Sequence, residues 1–292
     1  MMASWSSNAL LLLLVAATTT VAAPLKLVDD AGMLVTLSHP ATRIIALSPH
    51  VTELVYAAGA GHQLVGVSSY SDYPAAAKLI PHVGDGGKAD AERILALKPD
   101  LVIGWLSGNS AADVAMLERL GLPVFLTEPR RLDDIPRLLE SIGKLAGTEQ
   151  VAKSAATEFR SGVAELKLRY AGRQAVSVFY EIWHEPLSTI NGEHLISDVI
   201  TLCGGRNVFA GISSLTPVVA VESVLKEDPE AIIAERGSIA DWKRYPRLTA
   251  VREGHLLIVN PDLIERQSPR ILEGAKQMCA QIDRVRKAGV PD

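Results

Sequence analysis

Aromatic residues make up only 5% of this 292-residue chain, and it holds just two cysteines. No Cys-x-x-Cys pair occurs, so redox-dithiol and zinc-knuckle chemistry have no support. Lysines and arginines are dispersed through a chain of net charge −4, which offers no basic field to a nucleic acid. There is neither a Gly-x-Ser-x-Gly nucleophile elbow nor a His-Glu-x-x-His zinc pair. Gly84-Asp85-Gly86-Gly87-Lys88 looks like a phosphate loop until Ala89 breaks the required spacing, and it reads as a turn. The seven histidines are scattered and form no acidic, His-rich run of the zinc-scavenging kind.

One long apolar run is present, Ala9 to Ala17, followed by small residues and Val21-Ala22-Ala23. It fits a signal peptide over residues 1–23, cleaved after Ala22 or Ala23, although Met1 to Asn8 carries no Lys or Arg. The run is shorter than the roughly 20 apolar residues of a membrane span. No Cys follows it, which excludes a lipobox and predicts a soluble exported product. In an exported chain the two cysteines, Cys203 and Cys279, are expected to form one disulfide, the alternative being two buried thiols. On the chain-entropy model so long a loop contributes about 4 to 5 kcal/mol.

Short β-branched runs at 43–47, 65–69, 101–105 and 124–127 alternate with amphipathic stretches, and the alternation resumes at 176–182, 231–234 and 256–260. This predicts parallel α/β layers. Glu92-Arg93-Ile94-Leu95 followed by Pro99-Asp100-Leu101-Val102-Ile103 recurs as Glu222-Ser223-Val224-Leu225 followed by Pro229-Glu230-Ala231-Ile232-Ile233, at the same spacing. Two Rossmann-like lobes of similar topology are expected, over 24–146 and 172–292. Between them, 147–171 reads as one long, rigid α-helix with Val151, Ala155, Phe159, Val163, Leu166 and Tyr170 at helical spacing. Two lobes on a stiff connector enclose a cleft, the usual place for a small ligand.

In this aromatic-poor chain, Trp105 and Trp183 end two predicted strands, where open α/β sheets bind ligands, and their flat faces suit a planar molecule. Core packing is the competing role for each. Ser48-Pro49-His50 opens a helix after a strand, with Ser48 as N-cap and Pro49 at the first helical position. That places His50 toward the cleft, either as a ligand contact or as a solvated cap residue.

Val65-Gly66-Val67-Ser68-Ser69-Tyr70-Ser71-Asp72-Tyr73-Pro74 and Glu92 to Trp105 closely resemble the periplasmic cobalamin-binding proteins of ABC importers, a class III solute-binding family. Cys203 to Phe209 and Glu265 to Ile271 fall where that family has matching segments, its two disulfide cysteines included, and the resemblance covers nearly the whole mature chain. It implies two α/β lobes, a rigid connecting helix and a corrinoid held in the cleft with little closure. It implies Tyr70 as a ligand contact, with Asp262, Leu263, Ile264, Glu265 and Arg266 forming a binding loop. Asp262 and Arg266 would hydrogen-bond the amides around a corrin, although Arg266 has a surface pair with Glu265 as its structural alternative. Glu92 and Glu222 match the glutamates by which such proteins dock a permease dimer, one from each lobe. Read without the resemblance, both are helix N-terminal acids. Where family members carry Trp, this chain has Gly86, Thr216 and Leu263, a loss of stacking surface that Trp183 in the segment 180–187 offsets.

The expected function is therefore capture of cobalamin or a related corrinoid as a transported ligand. Its partners would be an inner-membrane permease and ATPase subunits, with the carrier monomeric. No catalytic cofactor, metal or nucleic acid is expected. A haem- or siderophore-binding protein of the same fold is the nearest alternative, and a hydrolase using Ser48 and His50 a remote one.

Overall fold

The computed structural model describes residues 23–85 and 88–288. Residues 1–22 of the expected leader 1–23, and the Gly86-Gly87 turn tip, lie outside the described residues. A hairpin of β1 (Leu25–Val28) and β2 (Leu34–Leu37) comes first. Then follow β3 (Ile44–Ala46), α1 (Pro49–Ala57), β4 (Leu64–Val67), the short pair β5 (Gly84–Asp85) and β6 (Lys88–Ala89), α2 (Ala91–Ala96), β7 (Leu101–Trp105), α3 (Ala111–Arg119), β8 (Val124–Thr127) and α4 (Asp134–Ala146). The long α5 (Glu149–Tyr170) leads to β9 (Val176–Tyr180), α6 (Leu195–Leu202), β10 (Gly205–Asn207), α7 (Val221–Glu227), β11 (Ala231–Ile233), α8 (Thr249–Arg252), β12 (Leu256–Leu257), α9 (Pro261–Ile264) and α10 (Ile271–Ala288).

Two four-stranded parallel sheets result, in the orders β4-β3-β7-β8 and β10-β9-β11-β12. The orders are the same: in each, the first strand of the unit is flanked by the second and third, with the fourth beyond. Helices cover both faces, so β3 and β11 are buried along their whole length and read as continuous apolar runs. The repeated Pro-acid pair has a structural job. Asp100, just before β7, accepts from the Thr42 N–H and Oγ1 and the Arg43 N–H at 2.8–3.0 Å, tying the third strand to the entry of β3. Glu230, just before β11, accepts from the Ser177 N–H and Oγ at 2.6 and 2.8 Å, tying it to β9. Lys98 and Asp228, each immediately before the proline, both sit in the left-handed region at φ 48° and 41°.

The expected long helix is present as α5, 22 residues or about 33 Å. Its buried face differs from the expected stripe. Ala152, Ala156, Phe159, Leu166 and Tyr170 are buried, whereas Val151 is exposed and Ala155 and Val163 only half-buried. The difference comes from α4, which lies along α5: a side chain at Gly143 would collide with that of Ala152, so the closest approach sets the seam at 152. One apolar core runs without a break from the first sheet through α4 and α5 to α10 and the second sheet. Cys203 and Cys279 are disulfide-bonded, joining the end of α6 to α10 across 76 residues, so neither is a free thiol. Among the described residues no helix is long and apolar enough to cross a membrane.

Candidate ligand-binding cleft

The C-terminal edges of the two sheets face each other, as two sets of contacts between the halves establish. On one side Glu53 of α1, 2% exposed, accepts from three groups that follow β12: Arg266 Nη1 at 3.1 Å, Arg270 Nη1 at 3.1 Å and the Ser268 hydroxyl. Arg266 also pairs with Asp72, beyond β4, and with Asp262 at 2.9 Å, while the Arg270 guanidinium lies 4.0 Å from the Tyr73 ring centroid. On the other side, beyond β8, Arg130 pairs with Glu193 at 3.3 Å and the Leu132 N–H donates to Asp198 at 2.8 Å. In sheet order these contacts flank the ends of β3 and β7 in the first half and of β9 and β11 in the second. The cleft floor lies between them.

Rings follow the strand ends of the first half. Trp105 ends β7, and Asn109 clamps that end by accepting from the Trp105 N–H at 2.7 Å while donating to the Leu47 carbonyl at 3.0 Å. Gly108 lies against one face of the indole, where any side chain would collide with it. His50 meets the indole edge-on, ring centroids 5.1 Å apart, and its Nδ1 shares a hydrogen bond with Ser48 Oγ at 3.1 Å. Burial drives the His50 pKa down to about 3, so the ring is neutral. Neither His50 Nε2 nor Trp105 Nε1 has a hydrogen-bond partner among the described residues. Tyr70 occupies the left-handed region at φ 65° in the turn after β4 and is 77% exposed.

Carboxylates follow the strand ends of the second half. After β9, Glu181 is buried, accepts from Trp242 Nε1 at 2.6 Å and meets His184 Nδ1 at 3.2 Å. Trp183, 62% exposed, donates from Nε1 to the Glu185 carbonyl at 2.8 Å. Glu181, Trp183, His184 and Glu185, with Glu235 and Ser238 beyond β11, line a pocket of about 270 Å³. Glu265 accepts from the Tyr180 hydroxyl at 3.0 Å. Burial raises its pKa to about 7; that hydrogen bond opposes the rise, and the Glu235 and Asp262 charges add to it.

A family model described as "Periplasmic binding protein" matches residues 44–263. The chain belongs to this family. Among solved structures the binding protein is similar to the periplasmic vitamin B12 binding protein BtuF of Vibrio cholerae. The TM-score is 0.80 and the identity 36%, covering 85% of this chain and 99% of that one. The vitamin B12-binding protein of Yersinia pestis (strain Pestoides F) is 39% identical over 254 residues, 85% of this chain and 89% of that protein. The apo periplasmic heme-binding protein RhuT from Roseiflexus sp. RS-1 matches at a TM-score of 0.73 and 21% identity over 84% of this chain and 98% of that one, a likeness of fold alone.

Several expected site residues sit differently in the binding protein. Ile264 is fully buried in the core, because the stretch 261–264 is a turn of helix that points it inward. His50 is buried rather than a solvated cap, and the Ser48 side chain caps no N–H of α1. Trp183 lies three residues past the end of β9, in a turn bridged to Ser188. Arg266 pairs with Glu53, Asp72 and Asp262 rather than Glu265. Asp262, Leu263 and Glu265 reach the surface to differing degrees around α9. Glu92 and Glu222 are both exposed, in the first turns of α2 and α7. Sequence reasoning missed Glu53, Glu181 and His184. A lone acid inside the apolar run Val51-Thr52-Glu53-Leu54-Val55 is the signal that marks the first of these.

Proposed function

We propose that this protein is the solute-binding component of an ABC importer that captures cobalamin, or a close corrinoid, in the cleft between lobes 24–146 and 172–292. The observation that carries this reading is the full-length similarity to BtuF of Vibrio cholerae, 36% identical over 85% of this chain and 99% of that one. The reading includes export to the periplasm with loss of a leader. Ligand binding rests on packing and hydrogen bonds, with no bond made or broken. Tyr70, Trp105 and Trp183 supply flat apolar surface for the macrocycle. The carboxylates of Glu265, Asp262 and Glu235 accept from the amide N–H groups around a corrin, and Leu263 packs at its rim. His50 backs Trp105. Glu92 and Glu222, at equivalent places in the duplication, each meet one subunit of a symmetric permease, and the carrier works as a monomer.

Calorimetric titration with cyanocobalamin and haemin tests the reading. Cyanocobalamin is expected to bind, and Tyr70→Ala to weaken it about tenfold, the loss of one stacking contact worth about 1.4 kcal/mol. Haemin binding without any corrinoid response overturns the proposal. In reconstituted transport, Glu92→Lys with Glu222→Lys should abolish uptake while cyanocobalamin affinity stays unchanged.

A further inference from the structure

His184 has the surroundings of a metal-directed imidazole. Its Nδ1 meets the buried Glu181 carboxylate at 3.2 Å, and Glu181 is itself held by Trp242 Nε1 at 2.6 Å. A carboxylate on one ring nitrogen fixes the tautomer, keeps the hydrogen on Nδ1 and makes the other nitrogen a better electron-pair donor. On the side of that other nitrogen, Nε2, Asp241 Oδ2 lies 3.4 Å away without making a hydrogen bond to it. Asp241 has a second partner in Arg244 at 3.2 Å, so it is not stranded if His184 turns to a ligand. Two hydrogen bonds hold the loop: the Trp183 Nε1–H donates to the Glu185 carbonyl, and the Ser188 N–H donates to the Trp183 carbonyl, both at 2.8 Å. His184 lines the pocket of about 270 Å³ at the ends of β9 and β11, between the two contact zones that bridge the halves.

Among the described residues no cluster of three or more His, Cys, Asp or Glu forms a metal cage. One imidazole therefore suits only a metal whose equatorial positions are already filled, as in a planar macrocycle with an open axial position. We propose that His184 Nε2 is an axial ligand to the cobalt of corrinoids that carry an exchangeable water, which rests on the corrinoid reading above. The step is a ligand exchange. The Nε2 lone pair forms a bond to Co(III), the cobalt–water bond breaks, and the water leaves with its electron pair. No electron is transferred and the proton on Nδ1 stays with the Glu181 hydrogen bond. Cyanocobalamin, with both axial positions filled by cyanide and its own base, binds without this contact.

Absorption spectroscopy with aquocyanocobinamide as probe, beside calorimetry with cyanocobalamin, tests the assignment. The wild type should shift the cobinamide bands as added imidazole does. His184→Ala should lose the shift and weaken cobinamide at least about tenfold, with an unchanged circular dichroism spectrum and thermal melt certifying its fold. Glu181→Gln, a positioning change, should retain the shift but weaken cobinamide by about 10- to 100-fold. Cobinamide bound with no band shift, or with a shift that survives His184→Ala, overturns the inference and leaves the corrinoid reading standing. Failure of both corrinoids to bind the wild type overturns the two together.

Discussion

The two halves of the cleft are built on one plan and finished in opposite chemistries. Both sheets have the same strand order, and both use an acid after a proline, Asp100 or Glu230, to tie the third strand to the first. Beyond its strand ends the first half carries rings and a neutral histidine, while the second sets Glu181, Glu185, Glu235 and Glu265 around Trp183 and His184. The strand order is held by burial and by the staples, both remote from the cleft edge. The residues after the strands are free to differ, so the two walls carry different side chains on one scaffold.

Only the second half is covalently tied, so removing that tie is the strongest way to unbalance the pair. Replacing Cys203 and Cys279 together by Ser should lower the unfolding free energy by about 4 to 5 kcal/mol, read by denaturant titration. Because the core is continuous, the loss should appear in a single transition; two separated transitions would show the halves to be independent. The staples come next. Asp100→Ala and Glu230→Ala should each cost about 2 kcal/mol, since each strands backbone and hydroxyl donors that a charged oxygen had satisfied. A loss from one and not the other would mean that the shared geometry is not shared energetics.

A third contrast is a pH slope in which the halves partly oppose each other. His50 in the first half and His194 in the second are held neutral by burial, with pKa values lowered to about 3 and about 4; the Arg130 charge adds to the latter. Unfolded, each titrates near 6.5. The folded state thus binds fewer protons, so their stabilisation is complete above about pH 6.5 and declines on acidification, by up to about 1.4 kcal/mol per pH unit per histidine. Glu265 has the opposite sign. Its pKa of about 7 lies above the ordinary carboxyl value, so the folded state binds more protons and gains stability as pH falls from about 7. Glu265→Gln should steepen the acid loss between pH 6.5 and 4.5, and His50→Asn or His194→Asn should flatten it, as followed by thermal melts across pH. A slope that ignores all three changes contradicts the burial assigned to these groups.

The repeat was readable from sequence because a Pro-acid turn and a buried strand are local features, and β7 and β11 fall where the repeated runs put them. The seam of α5 was shifted, since a stripe drawn from Val151 cannot register that Gly143 draws the partner helix to Ala152. Ile264 was grouped with its neighbours because a contiguous stretch carried over from a family does not distinguish the inward residue of a helical turn. Arg266 shows the limit most clearly. Its partner Glu53 is 213 residues away, and no spacing rule connects a basic residue near the C-terminus to an acid on the first helix.

That carboxylate also bears on whether the molecule can be divided. Glu53 sits in one half, and the two guanidiniums and the hydroxyl that neutralise it sit in the other. Cut between the sheets, the first fragment would inherit a buried anion with no counter-charge and the second a pair of arginines facing an exposed core. Expressed separately, neither fragment should be a stable protein, and complementation by mixing them should depend on Glu53.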